Sequence, residues 1–122
     1  MPVKALLIPL DPRHRRLTPQ PKAPGEFRFE DMGYEASEPP APGETGRLNF
    51  ACPRGHGTCG AIIIGNGVKP AGPKTWKWDG NPNSPTLTPS INCLAANPDK
   101  PSEKYAGCGW HAHLTDGIFT GQ

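Results

Sequence analysis

Residues 52–67 read Cys52-Pro53-Arg54-Gly55-His56-Gly57-Thr58-Cys59-Gly60-Ala61-Ile62-Ile63-Ile64-Gly65-Asn66-Gly67 and hold two signals at once. The later part, residues 61–64, is a short apolar run rich in β-branched side chains and closed by Gly-Asn-Gly. That is the pattern of a buried strand ending in a hairpin-type turn. The earlier part brackets a Gly-rich turn with two cysteines and a histidine, as a metal knuckle does. Glycine lets such a backbone turn tightly and aim its amides at thiolate sulfurs. Strand and knuckle together predict a small all-β, zinc-ribbon-like module.

Composition supports a stapled module. Gly and Pro number 15 and 17 in 122 residues, and both resist regular helix or strand. Leu, Ile, Val and Phe together number 20, few for a chain that must bury a core. The net charge is only +2, so self-repulsion does not account for that poverty. A helical bundle, a coiled coil and an α/β enzyme are excluded. The longest apolar runs, residues 5–8 and 61–64, fall far short of the about 20 residues a membrane helix needs. The N-terminus has no adequate apolar stretch with a cleavage site, so no signal peptide is expected. A core this small needs a disulfide, a metal or a partner. The four cysteines and four histidines are the candidates.

Working outward, the chain divides near residue 48. Residues 1–48 carry nine prolines and balanced charge, seven basic against seven acidic residues. They predict an extended Pro-rich arm with polyproline character. Residues 3–10 and 26–30 are the stretches that could pair there as short strands, and residues 37–45 read as a linker. Residues 49–122 predict the β-rich module. Leu48-Asn49-Phe50-Ala51 leads as a strand into Cys52. Thr75-Trp76-Lys77-Trp78 alternates, with both indoles on one face. Thr86-Leu87-Thr88, hemmed by Pro85 and Pro89, reads as an edge strand. Residues 111–114 and 118–119, around Asp116-Gly117, read as a terminal hairpin.

Zinc requires four tetrahedral ligands. A pair on each of two Gly-rich turns supplies them: Cys52 and Cys59, then Cys108 and His111, which have C-x-x-H spacing in Cys108-Gly109-Trp110-His111. His56 lies inside the longer first gap and could replace Cys59. Cys93 is a second reserve, otherwise a small core residue. His113, two residues from His111 on the same strand face, is a third reserve, otherwise a surface histidine beside the metal. Two disulfides or buried thiols are the competing readings of the four cysteines. Trp76, Trp78 and Trp110 predict core, making up for scarce aliphatic area.

Several motifs in order carry a family resemblance over residues 49–119. They are Cys52-Pro53-x-Gly55 with Cys59, and Trp76-x-Trp78-Asp79-Gly80-Asn81. They continue with Pro85-Thr86-Leu87-Thr88-Pro89-Ser90-Ile91-Asn92-Cys93 and Cys108-Gly109-Trp110-His111-x-His113-Leu114-x-Asp116-Gly117. On these the chain resembles an uncharacterised family of phages and prophages whose members often carry the label "ammonia monooxygenase". The resemblance implies a small zinc-binding, β-rich module of phage origin, and no established activity.

Enzyme signatures are sparse. H-E-x-x-H and the zinc deaminase pattern are absent, and Glu103 is the only glutamate after residue 44. No G-x-S-x-G elbow occurs; counting does not decide whether a serine, a histidine and an aspartate converge. The expected function is therefore non-enzymatic: a phage structural protein, such as a capsid decoration or minor virion protein, assembled in the bacterial host cytoplasm and touching no membrane. Prolines stiffen the arm and lower the entropy lost when it docks. Val3, Leu6, Leu7, Ile8, Phe27 and Phe29 are its expected anchors on other virion proteins, with Arg13, Arg15 and Arg16 meeting acidic patches. The first alternative is a phage zinc protein binding nucleic acid or a host factor, favoured by the basic cluster and opposed by the small net charge. The second is a zinc-dependent hydrolase.

Overall fold

The computed structural model describes residues 2–9, 19–30, 38–53, 55, 58–92 and 111–121. Nine strands run through them: β1 (Val3–Lys4), β2 (Leu6–Leu7), β3 (Glu26–Glu30), β4 (Thr45–Ala51), β5 (Thr58–Asn66), β6 (Thr75–Trp78), β7 (Leu87–Asn92), β8 (His111–Thr115) and β9 (Ile118–Gly121). No helix occurs among the described residues. All nine belong to one sheet, in the order β1-β9-β8-β7-β6-β5-β4-β3-β2.

The two outermost strands of that order, β1 and β2, are chain neighbours with Ala5 between them. One N-terminal segment therefore pairs antiparallel with β9 through Val3 and Lys4, and parallel with β3 through Leu6 and Leu7. This draws the sheet into a nearly closed barrel, which leaves few unpaired edges. Further backbone bonds sew the seam. Ala5 N–H donates to Gly117 O (2.7 Å), Leu6 N–H to Gly25 O (2.7 Å) and Ile8 N–H to Phe27 O (2.8 Å). Gly25 sits at φ 89°, and a Cβ there would overlap the Lys4 carbonyl oxygen. The close approach of the seam thus depends on glycine.

Alternation fills the interior. Phe27 and Phe29 on β3 pair with Phe50 and Leu48 on β4, and all four are buried. Ile62 and Ile64, Trp78, Leu87, Ile91, Ala112, Leu114 and Phe119 continue the buried face around the barrel. Aromatic rings span it: Phe29 lies 4.9 Å from Trp78, and Phe50 stacks on Phe119 at 5.8 Å. Each such ring removed from water contributes about 1.5–3 kcal/mol, so few large side chains do the work of many small ones. Trp76 packs against the same core.

The all-β expectation holds, and β6 and the β8–β9 hairpin lie where the alternation puts them. The zinc-ribbon-like form and the extended arm do not appear among the described residues. Three strands and part of a fourth come from residues 1–48, and position 48 lies inside β4. Residues 19–21 lie against the barrel wall instead of projecting from it: Arg28 Nη1 donates to Pro19 O (3.3 Å), Asn49 Nδ2 to Gln20 Oε1 (2.9 Å) and Thr58 Oγ1 to Pro21 O (2.7 Å). Beneath them, the Arg28–Glu30 ion pair (2.7 Å) is buried on the outer face of β3.

Two turn and edge expectations are also corrected. Gly65-Asn66-Gly67 is not a hairpin turn, because Asn66 N–H donates to Glu44 O and its side chain to Pro40 O, holding it in β5. β5 then pairs with β6 in parallel. The Pro89 region is not an edge: β7 lies between β6 and β8. Its proline falls within a register shift between Leu87 and Ile91, where the ladder needs no N–H.

Candidate functional site

The β7–β8 pair positions the site. Ile91 pairs with Ala112 and Asn92 with His111. Ile91, Ala112 and Leu114 are buried inward. Alternation therefore turns Ser90, His111 and His113 to the outer face of the wall. Ser90 and His111 are half-buried and His113 is exposed. The Ser90 hydroxyl lies 2.6 Å from His111 Nε2. The two residues are 21 apart in the chain and come together only because adjacent strands bring diagonal neighbours within reach.

The backbone at Ser90 is held separately. The Trp76 indole N–H, from β6, donates to the Ser90 carbonyl oxygen at 3.1 Å. Ser90 is thus fixed from both sides: its carbonyl by β6 and its side chain by β8. With the ring proton on Nδ1, Nε2 is an acceptor aimed at the hydroxyl. That is the arrangement in which an imidazole takes the proton of an attacking alcohol. Among the described residues, no carboxylate bonds the His111 ring.

The residues expected to bind metal are not assembled by the described part of the chain. Cys52 is buried just beyond β4. Cys59, on β5, is disulfide-bonded, so its sulfur does not supply the thiolate a zinc site needs. His111 lies beside Ser90, away from both cysteines' strands β4 and β5 in the sheet order. His56, Cys93 and Cys108 lie outside the described residues, as do Arg13, Arg15 and Arg16. No group of three or more His, Cys, Asp or Glu side chains able to hold a metal occurs among the described residues. Of the expected partner anchors, Phe27 and Phe29 are core, Val3 packs against the core, Ile8 is half-buried, and Leu6 and Leu7 are exposed on the closing strand.

Ser90 was reachable from sequence only as a polar residue beside inward Ile91. A G-x-S-x-G elbow marks a strand-to-helix turn, and an all-β barrel has no such turn to show. His111 was visible, but its spacing from Cys108 pointed to metal.

In the comparison with protein families, residues 30–120, about three quarters of the chain, fit the family described as "Bacterial ubiquitination-like system serine protease (BubE)". The searches of curated proteins and of solved structures give no match. The family match replaces the resemblance to a phage zinc-binding family. It also overturns what rested on that resemblance: the non-enzymatic virion role, the localisation in a virion, and both alternatives, the nucleic-acid- or host-factor-binding phage protein and the zinc-dependent hydrolase. The family is named for serine proteases, whose chemistry needs a serine nucleophile. The chain belongs to the BubE family of bacterial ubiquitination-like system serine proteases.

Proposed function

We propose that this protein is a serine protease with Ser90 as nucleophile and His111 as general base, acting within a bacterial ubiquitination-like system. The 2.6 Å contact between Ser90 Oγ and His111 Nε2 carries the reading. His111 takes the hydroxyl proton as Ser90 Oγ attacks the carbonyl carbon of the scissile peptide bond. The protonated imidazole then delivers that proton to the departing amine, leaving an ester on Ser90. A water deprotonated by His111 attacks the ester, and the proton returns to Ser90 as the acid product leaves. The outer wall of β7 and β8 is the surface on which the substrate chain lies, and the Trp76 bond keeps the nucleophile's backbone in register with it.

The test is covalent labelling by a fluorophosphonate, read by peptide mass spectrometry, together with peptidase activity. Label should appear on Ser90. Ser90→Ala should abolish labelling and activity, and His111→Ala should lower activity by about 10²–10⁴-fold, both with melting temperatures near that of the unaltered chain. Label on another serine, or activity surviving in Ser90→Ala, overturns the assignment.

A further inference from the structure

We propose that His111 and His113 form a divalent-metal site on the outer face of β8, at which Zn²⁺ blocks the proposed nucleophile. The inhibitory half of this proposal rests on the protease reading; the binding half does not.

The geometry comes from the strand. Residues two apart on a strand project from the same face about 7 Å apart. Two imidazoles at that spacing can lean toward one ion with Zn–N bonds of about 2.0–2.1 Å. The alternation of β8 is unbroken: Ala112 and Leu114 are buried, while His111 is half-buried and His113 exposed. β8 is also paired on both sides, with β7 and with β9, so both rings stand on a backbone that is already ordered. That lowers the cost of holding them for a common ligand. His113 pairs with Thr120 of β9, and both are exposed.

A third donor is at hand. Ser90 Oγ lies 2.6 Å from His111 Nε2, in the lone-pair direction an ion would take, so the hydroxyl turns aside as the ion enters and remains within reach of it. The site is then two imidazoles with a hydroxyl and water, open and exchangeable. It differs from the closed four-ligand sites that hold small folds together. The inhibitory logic follows from the lone pair. His111 Nε2 accepts the Ser90 proton through the same electron pair a metal would take. A bound ion therefore removes the base, whatever substrate is present.

Zinc chloride is titrated calorimetrically into the full-length chain with its disulfide intact, and into His113→Ala and Cys108→Ser. The expected result is a site whose dissociation constant rises tenfold or more in His113→Ala and is unchanged in Cys108→Ser. In peptidase assays, the zinc concentration giving half inhibition should rise by the same factor in His113→Ala. Zinc binding unchanged in His113→Ala, or lost in Cys108→Ser alone, overturns the site. Binding lost in His113→Ala from a chain without peptidase activity would leave the metal site standing and remove the protease reading.

Discussion

Three residues from three adjacent strands make the site: Trp76, Ser90 and His111. Trp76 and His111 are conspicuous in sequence, but Ser90 and the convergence of the three are not, because alternation gives a face and not a partner strand. Ser90 needed the β7 register with its shift at Pro89 before it could be set against His111. The cysteine three residues before His111 made metal ligation the cheaper local explanation. Trp76 was expected to be core, and it does pack there, but its N–H also donates to the Ser90 carbonyl. Trp76→Phe keeps the ring contact and removes that one donor. A hydrogen bond of this kind is worth about 0.5–1.5 kcal/mol net. If Trp76 positions Ser90, kcat should fall by about 2- to 10-fold with KM unchanged. The same loss appearing only as a lower melting temperature, with kcat intact, would make the bond structural and nothing more.

At the scale of elements, most strands were legible and several connections were not. The β8–β9 hairpin declares itself through Asp116-Gly117, both at positive φ (49° and 76°), which matches the twist of a two-residue hairpin. The β5–β6 pair misleads, because its parallel pairing is decided by side-chain and backbone bonds from residues 40 and 44 to Asn66, far from the Gly-Asn-Gly signal. The turn before β3 is held by Glu26. Its carboxylate accepts from Ala23 N–H (2.8 Å) and Lys22 N–H (3.1 Å), and these two bonds, Ala23 first, hold its pKa below the ordinary value of 4.5. A carboxylate with a lowered folded pKa favours the folded state above its ordinary range, and that contribution is lost as pH falls through the folded pKa. Glu26 also faces Leu6 across the closing seam. Glu26→Gln should therefore lower the melting temperature slightly at neutral pH and flatten the decline of stability below about pH 4.5. Thermal melts of both chains from pH 3 to 7 check this; parallel curves would mean that the carboxylate's charge is immaterial to the seam.

At the scale of the molecule, composition implied a core too small to stand without help. Closure supplies much of that help. Wrapping one sheet on itself lets four phenylalanines and Trp78 be shared by opposite walls, so each buried ring serves two strands. A metal or disulfide was the expected staple; backbone closure was not readable, because β1 and β2 are two residues each and carry little pattern. The nine prolines of residues 1–48 suggested an arm for another protein. In the described residues, the carbonyls of Pro19 and Pro21 in that segment are met by the chain's own Arg28 and Thr58. The family match begins at residue 30, beyond the closing strand, which makes the N-terminal segment the sharpest test of the architecture. Deleting residues 2–8 removes the pairings with β9 and β3, the buried Ala5, and three seam bonds at 2.7–2.8 Å. It also exposes β3 and β9 as open edges prone to association. At about 0.5–1.5 kcal/mol per bond, with lost apolar burial added, the cost is about 3 kcal/mol or more. That corresponds to a melting temperature lower by about 10 °C or more. A synthetic peptide of residues 2–8, added in trans, should raise it again by strand addition in the vacated place. A truncated chain that melts with the intact one and ignores the peptide would show that the barrel does not depend on its closing strand.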